Sequence, residues 1–176
     1  MSETTKIHKA HAPTNLKFAI FICSTSRHQA LQKGEATTDV SGDSIENMLK
    51  AAGHTILFRR VISDDKTMIE HAVKSVLDNP GIDAAIFSGG TGLTKADVTI
   101  ETVSSFFTKT LPGFGEFFRR ISYDQVGSAA VMSRATAGIA EGKALFCIPG
   151  SPNAVKISVE MLILPEAPHI VRHARE

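Results

Sequence analysis

Ala84-Ala85-Ile86-Phe87-Ser88-Gly89-Gly90-Thr91-Gly92 is the stretch on which the fold turns. Its first five residues form a short run without polar alternation, the pattern of a strand buried on both faces in a parallel sheet covered by helices. The run passes straight into glycines, which at a strand-to-helix turn permit positive φ and close approach of backbone. Such a turn leaves several N–H groups free to meet an oxyanion, and the helix that follows adds the positive end of its dipole. Ile100, Val103 and Phe107 give that helix one apolar face. The same turn without a ligand is only a tight connection, so its position after a buried strand carries the functional reading. There is no GxxxxGK[ST] or GxGxxG pattern here.

Outward from this stretch, strand and helix patterns alternate. Residues 16–23 form another near-continuous apolar run, followed by a polar segment, 24–42, that reads as a loop around Gly34. Ile45, Met48, Leu49 and Ala52 fall at helical spacing, and Gly53 stands where a helix stop is expected. A strand over 55–61 and a helix marked by Ile69, Val73, Val76 and Leu77 come next, closed by Asn79-Pro80-Gly81. Beyond the glycine turn, 112–122 reads as a glycine-containing loop feeding a short helix. Residues 126–132 and 144–148 read as strands, 154–164 as an amphipathic helix ended by Pro165, and 168–175 as a last short helix. This order predicts an α/β fold of three αβα layers around a mostly parallel, doubly wound sheet. A single domain is expected over 16–176. The polar residues 1–15 lack the apolar segment of a secretory signal and read as a flexible arm.

Composition removes several function classes. The chain has 176 residues, 43% hydrophobic and 21% charged, which suits one soluble globular unit. A net charge of +1 offers no basic field, and one Tyr with no Trp offers few stacking platforms, so nucleic acid is not an expected partner. No apolar run approaches the roughly 20 residues needed to span a bilayer. Cys23 and Cys147 end apolar runs and read as reduced core thiols, which points to the cytoplasm. The seven histidines form no HExxH and pair with no cysteine, so a zinc site of that kind is not predicted. There is no GxSxG elbow.

Ligands of open α/β sheets gather beyond the carboxyl ends of the strands. Ser24, Asp64-Asp65, Gly89 to Gly92 and Pro149-Gly150-Ser151 all fall at such ends. Thr91 can donate its hydroxyl to an anion bound by the turn. Asp97 either favours the next helix as an N-terminal carboxylate or cap, in competition with Thr99, or faces the anion site. In the second case it would repel phosphate unless a divalent cation lay between, which suggests Mg²⁺. One of Asp64 and Asp65 is expected to cap the helix containing Ile69, leaving the other for the cleft. Asp39 can cap the helix after it, and Ser151 is either an N-cap or part of a second anion site. Arg119 or Arg134 can neutralise a phosphate, the alternative being a solvated basic face.

Taken together, Phe87-Ser88-Gly89-Gly90-Thr91-Gly92 with Asp97-Val98-Thr99 and Glu101 resembles the signature of the MoaB/MogA family of molybdenum cofactor biosynthesis proteins. Pro112-Gly113-Phe114-Gly115-Glu116 with Arg119, then Ser133-Arg134 with Gly138, then Pro149-Gly150-Ser151 continue the likeness in the family's order, which covers roughly residues 17 to 165 and overlaps the MoaB branch. The resemblance implies a site for molybdopterin and MgATP, molybdopterin adenylyltransferase activity, and assembly into homotrimers or homohexamers. It carries the two key acidic residues, and the tentative Mg²⁺ ligands, onto Asp64 and Asp97. Ligand-binding roles fall on Ser24, Gly89, Gly90, Thr91, Gly92, Thr99, Glu116, Arg119, Ser133, Arg134, Pro149, Gly150 and Ser151. Two positions depart from the pattern: Ile100 where proline is common, and Thr25 where many members carry an acidic or amide residue. The alternatives are a carrier that holds molybdopterin or a nucleotide without turnover, and an unrelated sugar-phosphate or nucleotide enzyme sharing only the turn chemistry.

Overall fold

The computed structural model describes residues 13–176, so most of the expected arm, residues 1–12, lies outside the described residues. Six strands, β1 (Lys17–Cys23), β2 (Thr55–Ile62), β3 (Ala84–Ser88), β4 (Lys109–Thr110), β5 (Thr136–Ala140) and β6 (Lys143–Ile148), form one sheet in the order β2-β1-β3-β6-β5-β4. The first four in that order are parallel, and β5 runs antiparallel to both its neighbours, β6 and β4. The helices are α1 (Thr25–Gln32), α2 (Val40–Ala51), α3 (Lys66–Leu77), α4 (Thr99–Ser104), α5 (Pro112–Val126), α6 (Pro152–Lys156) and α7 (Leu164–Ala174).

The apolar runs are buried on both sides because their alternate residues serve two cores. Phe18, Ile20 and Ile22 join Ile86, Phe146 and Ile148 on one face, covered by α2, α5 and the C-terminal helices through residues such as Leu49, Phe118 and Val171. Ala19, Phe21 and Cys23 join Phe87, Leu145 and Cys147 on the other, covered by α3 and α4 through Ile69, Val73 and Val103. This is the three-layer αβα fold expected from the strand pattern. Phe21 stacks on Phe87 with ring centroids 4.9 Å apart, tying β1 to β3.

Four expectations are corrected. The segment read as a loop contains α1, which buries none of its residues and therefore shows no apolar stripe. Residues 112–122 begin no loop: Pro112 opens α5 at its first position, where a fixed φ suits a helix and a missing N–H costs nothing. Residues 126–132 are not a strand but mainly a 3₁₀ turn (Gly127–Met132), and its apolar Val131 and Met132 stay exposed. The strand lies further on, in the small residues of β5. Gly138 is needed there because a Cβ would sit 2.3 Å from the ring of Phe107.

Finally, Pro165 does not end the C-terminal helix. A π-helical segment (Ile157–Ile163) carries α6 into α7 without a break. The wider π turn moves hydrogen bonding out of the i−4 pattern that a proline ring obstructs.

Candidate functional site

The chain leaves β1 for β2 on one side and later returns to place β3 on β1's other side, so the strand order reverses between β1 and β3. Ligands of doubly wound sheets occupy the crevice outside such a switch point. Ile22 pairs with Ser88 and Ser88 with Ile148, which brings the turns after β1, β3 and β6 to one level.

Glycine is required where these turns meet. Gly89 has φ +107, and a Cβ there would lie 2.3 Å from the Cys23 carbonyl oxygen. Its N–H donates to the Ile148 carbonyl at 3.0 Å. A Cβ on Gly150 would be 3.3 Å from the Cα of Gly89, so the second loop lies against the first. The Ser41 hydroxyl fixes that loop from α2 by donating to the Gly150 carbonyl at 2.8 Å. Gly90 has φ +61, and a Cβ there would meet Thr99 Oγ1 at 2.4 Å and Asp64 Cβ at 3.1 Å.

Asp64 and Asp97 flank this turn on two sides. Asp65 caps α3 by accepting from the Met68 N–H at 2.9 Å. Asp64 instead turns to the crevice, where Oδ1 accepts from the Thr25 N–H at 3.2 Å and, through a short contact, from the Thr25 hydroxyl. Ser63 Oγ is hydrogen-bonded to the same hydroxyl at 2.7 Å.

Asp97 caps no helix, and neither does Thr99: the N-cap of α4 is Val98, without a side-chain bond. Asp97 closes its own loop, accepting from the Thr94 hydroxyl at 2.6 Å and the Thr94 N–H at 2.9 Å. Its carboxylate also fills the space a Cβ on Gly92 would take, 2.7 Å away. The Thr94 hydroxyl foremost, with the Thr94 and Gly92 N–H groups and Arg134, holds this carboxyl below its ordinary pKa in spite of partial burial. Thr99 is fully buried and its N–H donates to the Gly90 carbonyl at 3.0 Å, so it secures the turn from beneath.

The remaining residues divide. Arg134 Nε donates to the Thr91 carbonyl at 3.0 Å, and its two terminal nitrogens contact Glu101 at 2.7 and 3.0 Å. Its fork braces the glycine turn. Ser24 occupies the N-cap position of α1 without a side-chain cap bond, its hydroxyl 3.3 Å from that of Ser26. Ser151 is an N-cap, accepting from the Ala154 N–H at 3.4 Å. Ser133, Pro149 and Ser151 share a cavity of about 120 Å³ with Phe118 and Asn153. Glu116 and Arg119 line a separate surface depression with Tyr123 and Val131. Asp39 caps α2 through the Gly42 N–H at 3.0 Å and faces Arg59 and Arg27.

Sequence reasoning missed Ser41, Thr94 and the Thr25–Ser63 pair as supports. Their only signal was a hydroxyl next to a carboxylate or glycine already singled out.

A glycine cradle at the switch point of a doubly wound sheet, with a carboxylate on either side, stands where α/β proteins of this class gather their ligands. Residues 19–169 match the family described as "Probable molybdopterin binding domain". The chain belongs to this family of molybdenum cofactor biosynthesis proteins. It is 40% identical over 170 residues to molybdenum cofactor biosynthesis protein B of Bacillus subtilis, covering 96% of each chain. It is also 40% identical over 173 residues to the molybdopterin adenylyltransferase of Pyrococcus furiosus, covering 96% of this chain and 97% of that one. A crystal structure of molybdenum cofactor biosynthesis protein B superposes with a TM-score of 0.84 at 39% identity, covering 94% of this chain and 99% of the other.

Proposed function

We propose that this protein is a molybdopterin adenylyltransferase that uses MgATP in the cytoplasm. The observation that carries the reading is the paired loops, Gly89 to Gly92 and Pro149 to Ser151, packed at the switch point beside Asp64 and Asp97. A terminal phosphate oxygen of molybdopterin attacks the α-phosphorus of ATP. The new P–O bond forms as the bond to the β-phosphate oxygen breaks, and pyrophosphate leaves with that electron pair. A phosphate monoester has its second pKa near ~6, so the nucleophile is already largely ionised at neutral pH. No general base is needed, and alignment and charge neutralisation supply the catalysis.

The donor set fits Mg²⁺, which takes one or two carboxylates with phosphate oxygens and water completing its shell. Asp64 Oδ2 has no hydrogen bond among the described residues, and Thr94 with Gly92 keeps Asp97 ionised. Bound there by Asp64 and Asp97, Mg²⁺ would neutralise phosphate charge. The Gly90 and Thr91 N–H groups would hold phosphate oxygens, those of Gly89 and Gly92 being taken by the Ile148 carbonyl and Asp97; Arg134 keeps the turn in place, and Ser133 with Ser151 lines the adjoining cavity. Glu116 and Arg119 sit on α5 away from the crevice, and their contact with ligand needs a second copy or an extended substrate.

Such a second copy, in a homotrimer or homohexamer, is supported by the exposed apolar group Phe117, Tyr123, Val126, Val131 and Met132 on α5 and the following turn, which leaves these side chains 50% to 78% exposed. Purified protein given molybdopterin and ATP should release pyrophosphate and adenylylated pterin only with Mg²⁺. Pterin binding without either product would mark a carrier instead.

A further inference from the structure

The direction in which Asp64 points has a cause of its own. Helix α1 buries no residue, and its N-cap, Ser24, makes no side-chain cap bond, so the core does little to place it at the crevice. The end of β2 holds its first turn instead. The Ser24 N–H donates to the Ile62 carbonyl at 2.9 Å, and hydrogen bonds then converge between Thr25 and the next two residues, Ser63 and Asp64. The Thr25 N–H donates to Asp64 Oδ1 at 3.2 Å, and the Thr25 hydroxyl bonds the same oxygen. In return, the Asp64 N–H donates to Thr25 Oγ1 at 3.3 Å, and Ser63 Oγ lies 2.7 Å from that atom.

The proton directions in this group follow from the donors available. A hydroxyl has one proton and two lone pairs, an ionised carboxylate only accepts, and a backbone N–H only donates. Thr25 therefore gives its proton to Asp64 Oδ1. Its oxygen accepts from the Asp64 N–H, which leaves one lone pair for the Ser63 proton. The Thr25 hydroxyl is then fully used, and rotating it breaks its bond to the carboxylate. Oδ1 of Asp64 receives two bonds, whereas Oδ2 receives none among the described residues. The Asp64 side chain meanwhile lies against the glycine turn, its Cβ 3.1 Å from where a Cβ on Gly90 would stand.

We propose that Thr25 is a positioning residue for adenylyl transfer, pinning Oδ1 of Asp64 so that Oδ2 is the oxygen turned to the reacting phosphates, with Ser63 holding the Thr25 hydroxyl in place. The role rests on the adenylyltransferase reading, in which the charge of Asp64 serves those phosphates. Electrostatic help of that kind depends on groups oriented before the reaction begins. A carboxylate free to swing about its χ angles gives part of it up. Position 25 is also one at which this chain departs from its family's pattern. An acidic residue there would set a like charge beside Asp64, whereas threonine donates a proton to it.

The test combines steady-state adenylyl transfer, equilibrium molybdopterin binding and urea denaturation of the full chain. Thr25→Val keeps the shape and the N–H but removes the hydroxyl. It should lower kcat by about tenfold to a hundredfold, the effect of a misplaced group, with molybdopterin Kd within about twofold of wild type. Thr25→Ser keeps the hydroxyl and should restore kcat to within about threefold of wild type. Ser63→Ala reaches the same hydroxyl from its other side and should cost about twofold to fivefold. In the Asp64→Ala background Thr25→Val should cost nothing further, and the fall in urea midpoint of the double variant should be smaller than the two single falls added together. A threonine with a merely structural role would lower the midpoint and leave kcat of the folded protein unchanged. Thr25→Val at the wild-type rate, or a Thr25→Val loss that persists undiminished after Asp64→Ala, would overturn the role while the adenylyltransferase reading stands. A wild type with no turnover would overturn that reading, and this role with it.

Discussion

Replacing Gly90 by alanine tests the cradle at its tightest point. The added Cβ meets two separate penalties. Its φ of +61 is left-handed, which costs an L-residue about 1–2 kcal/mol. The Cβ would also lie 2.4 Å from Thr99 Oγ1, a side chain that is fully buried and has no room to retreat. Overpacking of that kind costs about 1–3 kcal/mol. The sum, about 2–5 kcal/mol, corresponds to a fall in Tm of very roughly 5–15 °C for a chain of this size.

Gly53 separates the two terms, because its φ is +87 and nothing lies within 4 Å of its Cβ position. Gly53→Ala should therefore cost only the backbone part, about 1–2 kcal/mol. Urea denaturation of both variants measures the difference. Thr99→Ala in the Gly90→Ala background should recover about 1 kcal/mol or more relative to additivity, since the two positions share one contact. Equal destabilisation by Gly90→Ala and Gly53→Ala, together with an additive cycle, would refute the steric reasoning.

Three further outcomes follow from the same geometry. Asp97 has its folded pKa depressed below the ordinary 3.8, so its hydrogen bonds add stability above that value and lose it as pH falls through the depressed one. The stability gap between wild type and Asp97→Asn should accordingly narrow between pH ~5 and ~2 in acid-denaturation curves. Burial pushes the Cys23 thiol up to about 12 and Cys147 well above its usual value. Neither should react with Ellman's reagent at pH 8 in the native protein, and both should react in urea. Arg134→Lys keeps charge but loses the fork that spans Glu101 and the Thr91 carbonyl, and it should weaken ATP binding by roughly twofold to fivefold in titration calorimetry.

Most of the architecture was legible because the buried strands declare themselves. Phe18, Ile20 and Ile22 face one core while Ala19, Phe21 and Cys23 face the other, so the run carries no polar residue after Lys17 and reads as a two-faced strand. What escaped was whatever the core does not mark. Helix α1 buries nothing, and β5 has at its centre Gly138, which answers to the Phe107 ring rather than to a propensity. Val126 to Met132 misled in the opposite sense, being apolar yet largely exposed.

At the site, the glycines and the Asp64-Asp65 pair were readable because strand ends predict where they go, but which of the two caps α3 is settled by the Met68 N–H, which donates to Asp65. The roles of Asp97 and Thr99 were not readable, since capping and loop closure use the same residue types at nearly the same spacing. Only the contact of Asp97 with Thr94, three residues back, decides between them.

The most direct measurement is the pair Asp64→Asn and Asp97→Asn, assayed for adenylyl transfer and, separately, for equilibrium molybdopterin binding. The account predicts that each variant loses turnover by a hundredfold or more (~10², of the order found when one electrostatic group is removed) while molybdopterin affinity stays near wild type. Full turnover in either variant, or binding and turnover lost in equal measure, would contradict the placement of both carboxylates at the reacting phosphates.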